Sequence, residues 1–392
     1  MADFAEPIAH VDMDAFFVEV ERLRRPELRG VAVVVGGLSG RGVVASASYE
    51  ARRRGVHSGM PMTQAQKLCP HARFIPPDHG EYRHASNQVF TVLRSFTPLV
   101  EALSLDEAFL DVAGLRLHFR DPVAVGEEIR GRIRAETGLP ASVGIATNKL
   151  LAKLASREAK PDGLFRIGAG SELEFLHPLP VRALWGVGEA TYAALEALGI
   201  ETISDLAEFP RSTLERRLGA SLGASLWELA RGRDARPVEP DAAAKSISVE
   251  QTYASDLSQS GAIEAELLRH ADRLARRLRR SELAAWTVTL KVRFADFTTV
   301  TRSQTLQTPS DTGPDLYAAA RALLSRVRLE RRRVRLLGLA ASGLTGADTP
   351  RQLLLERPPW EELADAVDRI RDRFGDEAVR PARLVEPPGA ER

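Results

Sequence analysis

The chain is 392 residues long, 44% hydrophobic and 27% charged, with 54 Lys and Arg against 53 Asp and Glu for a formal net charge of +1. That length exceeds what one hydrophobic core usually serves, so two to four domains are expected, and the composition excludes collagen, a coiled coil and disorder throughout. The near-zero total hides a division: residues 243–345 hold 17 basic against 10 acidic side chains, a net of +7, and the remainder stands at −6.

In chain order, residues 8–12 alternate apolar and polar and read as a short strand. Asp14 precedes a helical run over 15–23, where an Asp normally accepts backbone N–H bonds as an N-cap. Residues 31–35 form an apolar strand ending in Gly36-Gly37, and 38–80, rich in Gly, Pro and Arg, read as a small irregular subdomain. A helix is expected over 81–96. Residues 99–112 have strand character on both sides of a polar centre, Ser104-Leu105-Asp106-Glu107, which predicts a hairpin with that centre at or near its tip. A helix over 122–137, a strand over 141–146 and a helix over 148–159 complete a mixed βαββαβ sheet with helices on one face. Residues 170–233 look wholly helical, and 234–245 read as a linker. The order then repeats. A strand at 247–253, a helix at 263–283, strands at 287–294 and 298–305, a helix at 314–329 and a strand at 334–342 make a second βαββαβ unit. A tail with one helix at 360–374 ends a multidomain α/β (α+β) chain.

One cysteine, Cys69, excludes an intramolecular disulfide and a cysteine-rich zinc site, and the eight His do not pair at metal-site spacing. The first residues lack a basic-then-apolar layout, and no apolar run approaches the roughly 20 residues of a membrane span. The expectation is a cytoplasmic chain with no membrane contact.

Three acids stand out: Asp12 at the end of the first strand, and Asp106 with Glu107 in the hairpin. Consecutive strand residues point to opposite faces, so Asp106 and Glu107 serve one site only where the backbone turns. If the first strand lies beside the hairpin, three carboxylates converge and repel one another unless divalent cations occupy the cluster. Oxygen ligands alone select Mg²⁺ or Mn²⁺, and two such ions about 3.5–4 Å apart suit an in-line displacement at phosphorus. Solvated turn acids fit the same spacing. Asp111, out of phase on the outgoing strand, reads as structural.

HVDMDAFFVEVE (10–21), ASASYEARRRGVHSGMPM (45–62), SLDEAFLDV (104–112) and VGIATNKLLAKLASREAKPDG (143–163) stand in the order and spacing of four motifs. Together they resemble the Y-family translesion DNA polymerases, within the bacterial DinB group, over nearly the whole chain. The resemblance implies a right-hand fold. The palm takes 1–19 and 80–168, the fingers 20–79, a helix-hairpin-helix thumb 169–233, a linker 234–245, a βαββαβ little finger 246–345 and a tail 346–392. It implies that Asp12, Asp106 and Glu107, with the Met13 carbonyl, hold two Mg²⁺ ions (Mn²⁺ as the alternative) for attack of a primer 3′-hydroxyl on a dNTP. Phe16, Ser46, Tyr49, Arg52 and Lys160 align with nucleotide contacts, and Phe17 with the steric gate against a ribose 2′-hydroxyl. From periodicity alone, Phe17 is equally a core aromatic and Arg52 a solvated helix residue. Gly42, Val43, Val44 and Ala45 would roof the nascent base pair with small side chains.

Primer–template DNA is the implied partner, gripped through Gly186 and Gly188 before a thumb helix and through Lys291, Arg293 and Arg302 of the basic segment. On the 263–283 helix, Arg269, Arg273, Arg276, Arg277 and Arg280 cluster away from the apolar stripe and read as part of the same basic face. Residues 351–358, within RQLLLERPPW, resemble a sliding-clamp peptide without its terminal aromatic, and compete with a plain amphipathic tail. A monomer, associated with the nucleoid when acting, is expected. The reading from another class is a non-catalytic DNA-binding scaffold that keeps the polymerase fold.

Overall fold

The computed structural model describes residues 4–240, 243–330, 332–346 and 360–385. The chain divides into two compact units, Met1–Ala242 and Ala243–Arg392. Among the described residues no helix is long and apolar enough to cross a membrane. The 351–358 peptide lies outside the described residues.

In the first unit, β1 (Ile8–Met13) leads into α1 (Phe16–Arg24). Next come β2 (Val33–Gly36), β3 (Val44–Ala47), α2 (Tyr49–Arg52), α3 (Met62–Leu68) and β4 (Arg73–Ile75), then α4 (His79–Phe96). The hairpin is β5 (Val100–Ala102) and β6 (Glu107–Asp111), followed by α5 (Pro122–Thr137), β7 (Ala141–Ala146), α6 (Lys149–Glu158) and β8 (Leu164–Arg166). The main sheet runs β5-β6-β1-β7-β8, with β1 antiparallel to both β6 and β7 and β8 parallel to β7. The segment expected to be irregular holds a separate three-stranded sheet, β3-β2-β4. Its strands are three or four residues long, too short for alternation to show in sequence.

Local chemistry sets the helix ends. The Asp121 carboxylate accepts from Ala124 N–H, Pro122 occupies the first turn, and Gly138 closes α5 at φ 72°. Asn148 accepts from Leu151 N–H and starts α6. The sheet carries helices on both faces, not one. Val143 and Ile145 face Gly126 of α5, while a Cβ on Gly144 would stand 2.1 Å from the Ala152 carbonyl and 2.2 Å from Ser156 N. Gly144 therefore lets the α6 backbone lie against β7, a close approach that a polarity pattern does not record.

Five helices follow: α7 (Glu172–Leu176), α8 (Glu189–Glu196), α9 (Ile203–Glu208), α10 (Arg211–Leu218) and α11 (Ala220–Leu229). Their core, including Leu195, Ile203, Leu214 and Leu226, is continuous with Leu150, Leu151 and Leu154 of α6. Past α11 the chain is tied to the α6 N-terminus, so the first half of the 234–245 stretch is not loose. Asn148 Nδ2 donates to Gly232 O (2.8 Å), Leu150 N to Asp234 Oδ2 (3.1 Å) and Lys149 Nζ to Pro237 O (3.2 Å).

The second unit contains β9 (Ser246–Leu257), α12 (Ser260–Arg280), β10 (Leu283–Phe294), β11 (Thr299–Ser310), α13 (Gly313–Leu324), β12 (Val334–Gly346) and α14 (Trp360–Phe374). Its sheet runs β11-β10-β12-β9, and Leu267, Leu274 and Leu278 of α12 join Val288, Leu290 and Val292 of β10 in its core. Part of the α12 arginine row is taken up in ion pairs. Arg276 pairs with Asp368, Asp372 and Asp376, Arg279 with Asp368 (2.8 Å) and Arg280 with Asp372 (2.5 Å). In return Arg371 reaches Asp272 (2.9 Å). Acids in and just past a helix almost a hundred residues downstream thus take up Arg276, Arg279 and Arg280, while Arg269 pairs with Glu266 and Arg277 donates to Ser248 O.

Gly144→Ala is expected to push α6 off β7, at a cost of about 1–3 kcal/mol or more, lowering the melting temperature measured by circular dichroism. An unchanged melting temperature would show that this approach has slack.

Candidate active site

The β1–β6 pairing places Asp12 opposite Glu107, and Met13 N donates to the Asp106 carbonyl at 2.9 Å where the hairpin turns. Residues paired across an antiparallel ladder share a face, and the turn brings Asp106 round to the same side. All three acids line one cavity of about 300 Å³ with Met13, Phe16, Phe17, Ser46, Arg52 and Lys160. Ala15, Ala45 and Ser58 complete its wall.

The carboxylates are held apart by lysines. Lys160 Nζ donates to Asp12 Oδ1 at 2.6 Å and Lys153 Nζ to Glu107 Oε2 at 2.9 Å, while Ser104 Oγ donates to Asp106 Oδ1 at 2.6 Å. Lys149 repeats the arrangement one turn earlier, on Glu101 at 2.6 Å. Among the described residues no three His, Cys, Asp or Glu side chains stand close enough together to hold an ion. The expected three-carboxylate cluster is thus present as neighbours on one cavity wall, each acid drawn to its own donor because like charges repel. Burial pushes the Asp12 carboxyl up to about 6 against the pull of Lys160, and the charges of Glu107 and Asp106 add to the rise. Hard oxygen donors whose mutual repulsion a divalent cation would relieve suit Mg²⁺ chemically.

Behind the cavity lies His10, wholly buried on the same face of β1 as Asp12, with Nδ1 2.7 Å from Ser156 Oγ. Burial first, then the charges of Lys153 and Lys160, hold its imidazole well below the usual range, so it is neutral at physiological pH. Lys153 and His10 were not singled out from sequence. The signal was there: Lys149, Lys153, Ser156 and Lys160 follow one another at helical spacing.

Asp14 corrects another expectation. The N-cap of α1 is Ala15, in the left-handed region at φ 42° and with no side-chain cap. Asp14 instead turns inward and is buried, accepting from Tyr49 Oη (2.7 Å), Ser142 Oγ (3.0 Å) and Asp162 N (2.7 Å). Tyr49 therefore does not line the cavity. Burial and then Asp14 push its hydroxyl pKa up, so it stays a donor. Arg52 lines the cavity, donates from Nε to Ala47 O at 2.9 Å and lies 4.9 Å over the Tyr49 ring. Phe17 stacks on Tyr82 at 4.1 Å, so its ring is both cavity wall and core aromatic.

Of the four expected roof residues only Ala45 lines the cavity. Val44 is buried among Val34, Ala47 and Met62, and Val43 is half exposed. A Cβ on Gly42 would stand 1.7 Å from Gly37 O, so the glycine serves the close approach of the two ends of the loop joining β2 to β3. Gly188 caps α8 and Gly186 has φ 99°. In the second unit Lys291 and Arg293 pair across from Thr301 and Thr299, on the open face of the sheet. Arg302 pairs with core residue Leu290 and so belongs to the other face, one residue out of register with the expected basic row.

Three family models match the chain: the impB/mucB/samB family at residues 11–157, its C-terminal domain at 244–355, and the DNA polymerase-iota thumb domain at 182–234. A protein named DNA polymerase IV from Desulfatibacillum aliphaticivorans is 45% identical over 386 residues, 96% of each chain. Another so named, from Streptomyces coelicolor, is 49% identical over 342 residues, 87% of this chain and 71% of its own. Among solved structures, a Y-family DNA polymerase chimera superposes with a TM-score of 0.77 at 27% identity, covering 86% of this chain and 98% of that one. An insertion ternary complex of Dbh DNA polymerase gives 0.63 at 26% identity over the same shares.

A carboxyl raised on folding contributes stability at low pH that is lost as pH climbs from about 3.8 through about 6. Asp12→Asn is therefore expected to raise the melting temperature of the metal-free protein near neutral pH and to flatten its fall above about pH 4. Parallel melting curves for variant and wild type across that range would refute it.

Proposed function

The chain belongs to the impB/mucB/samB family, as a DinB-like member of the Y-family DNA polymerases, and from that premise we propose that the cavity at Asp12, Asp106 and Glu107 joins a primer 3′-hydroxyl to a dNTP. The protein is a translesion DNA polymerase that binds DNA and dNTPs. Asp12, Asp106, Glu107 and the Met13 carbonyl would hold the divalent ions, Mg²⁺ in our reading. Bound there, such ions favour ionisation of the 3′-hydroxyl and neutralise charge developing on the phosphates.

The chain's own groups do the rest. Arg52 supplies a planar forked donor and Lys160 a point charge to the triphosphate, with Ser46 beside them on β3. Lys160 would exchange the Asp12 carboxylate for a phosphate, freeing that acid as substrate enters. Phe17, backed by Tyr82, fills the space a ribose 2′-hydroxyl would need. Tyr49 acts through Asp14, not by touching the cavity. Small residues at Ala15 and Ala45 leave the wall shallow, which suits modest fidelity and a damaged template. Backbone N–H groups near Gly186 and Gly188, and the hydroxyl-lined sheet face carrying Lys291 and Arg293, suit duplex phosphates. Arg302, on the other face, is left out of that grip. Residues 351–358 would bind a sliding clamp, and the polymerase would act as a monomer.

The observation that carries the proposal is the placement of Asp12, Asp106 and Glu107 on one wall with Arg52 and Lys160. A scaffold has no use for three like charges set on one cavity wall, one of them a carboxyl that burial raises on folding. Primer extension with Mg²⁺ and dNTPs should fall by on the order of a thousandfold in Asp106→Ala, with duplex binding retained. A variant as active as wild type would refute the assignment. Phe17→Ala is expected to raise ribonucleotide insertion relative to dNTP insertion by about 10- to 100-fold. An unchanged ratio in single-nucleotide kinetics would remove Phe17 from that role.

A further inference from the structure

The helix side of the second unit's sheet holds a cavity of about 250 Å³, lined by none of the residues of the candidate active site. Its floor is apolar: Phe294, Val300 and Val327. Four arginines line the rest, Arg302, Arg326, Arg328 and Arg332, and among the described residues no acid does. Val300 and Arg302 pair with Val292 and Leu290, which puts the cavity on the face opposite Lys291 and Arg293. Arg332 meets Asp296 at 2.9 Å and lies 3.6 Å over the Phe294 ring. Among the described residues Arg302 donates only to the Thr301 carbonyl, and Arg326 and Arg328, both exposed, have no acid partner.

We propose that this cavity binds a nucleoside phosphate, free or as one unit of an unpaired strand. Four guanidiniums around one hollow repel one another until an anion enters, and their planar forks match phosphate oxygens. An apolar floor offers nothing to a bare anion but accepts a base. A guanidinium already laid on an aromatic ring is a stacking surface for that base. The volume admits about one nucleotide, not a duplex. The site is independent of the polymerase assignment, because its residues belong neither to the metal-binding cluster nor to the duplex-binding face.

The test uses the full chain saturated with a hairpin primer–template, to which fluorescent octathymidylate (dT8) is added and anisotropy followed. Wild type should bind dT8. Arg326→Glu with Arg328→Glu should weaken it about tenfold and lower its salt dependence. Val300→Phe, which fills the floor without changing charge, should weaken it as much. Lys291→Glu with Arg293→Glu should weaken the hairpin while sparing dT8. Melting temperature and primer extension check that the two cavity variants fold.

Displacement of dT8 by dTMP identifies the free nucleotide as a ligand, and displacement by oligomers alone identifies the strand. Either supports the site. Equal displacement by inorganic phosphate or an acidic peptide overturns it, as does wild-type binding in Val300→Phe. Should that variant not fold, photocrosslinking of 4-thiothymidine-substituted dT8 to wild type decides. Adducts within 294–302 or 326–332 support the site, and adducts confined elsewhere overturn it.

Discussion

Three carboxylates on one edge of a sheet repel one another, and the arrangement of the first unit is organised around tolerating that repulsion. The counterweight is the row Lys149, Lys153 and Lys160, set against Glu101, Glu107 and Asp12. The row works only if α6 lies close to β1 and β7, which Gly144 permits, and only if the helix is fixed along its axis. Asn148 starts it, and Asp234 of the segment after α11 accepts from Leu150 N at its first turn. Residues far from the cavity thus determine where its charges stand. A pair held this way is costly to bury.

Much of this was legible because local rules agree with tertiary demand. Helix α5 begins at Asp121-Pro122 and ends at Gly138, and β7 is a wholly buried strand apolar but for Ser142, so both match their sequence reading. The hairpin was legible because its polar centre interrupts two apolar stretches. Asp14 was not, since capping propensity is local and the donors that claim it come from 35, 128 and 148 residues away. Strands β3 and β4 are shorter than the window in which alternation can be seen. Arg302 shows how far one residue of register reaches: the strand was recognised, yet its side chain belongs to the other face.

Charge needed the finest division. The total of +1 says nothing about DNA, and the +7 of residues 243–345 says only that some surface there is basic. In the folded unit that surplus separates into three parts with different partners. Arg276, Arg279 and Arg280 of α12 are matched by Asp368, Asp372 and Asp376, the open sheet face carries Arg293 and Lys291, the latter paired with Glu250 at 2.6 Å, and four arginines surround the cavity near Phe294. Sequence counts cannot separate these, because the acids that cancel the first row come from the tail.

The inward-turned Asp14 has a mechanical consequence. It ties Tyr49, on the small three-stranded sheet's side, to Ser142 of β7 and to the chain after α6, while Arg22 fastens α1 to Glu50 at 2.9 Å. Swinging that subdomain away would strip a buried carboxylate of a donor, at a cost of about 1–3 kcal/mol. These contacts therefore act as a latch that holds the cavity wall in place before any substrate enters.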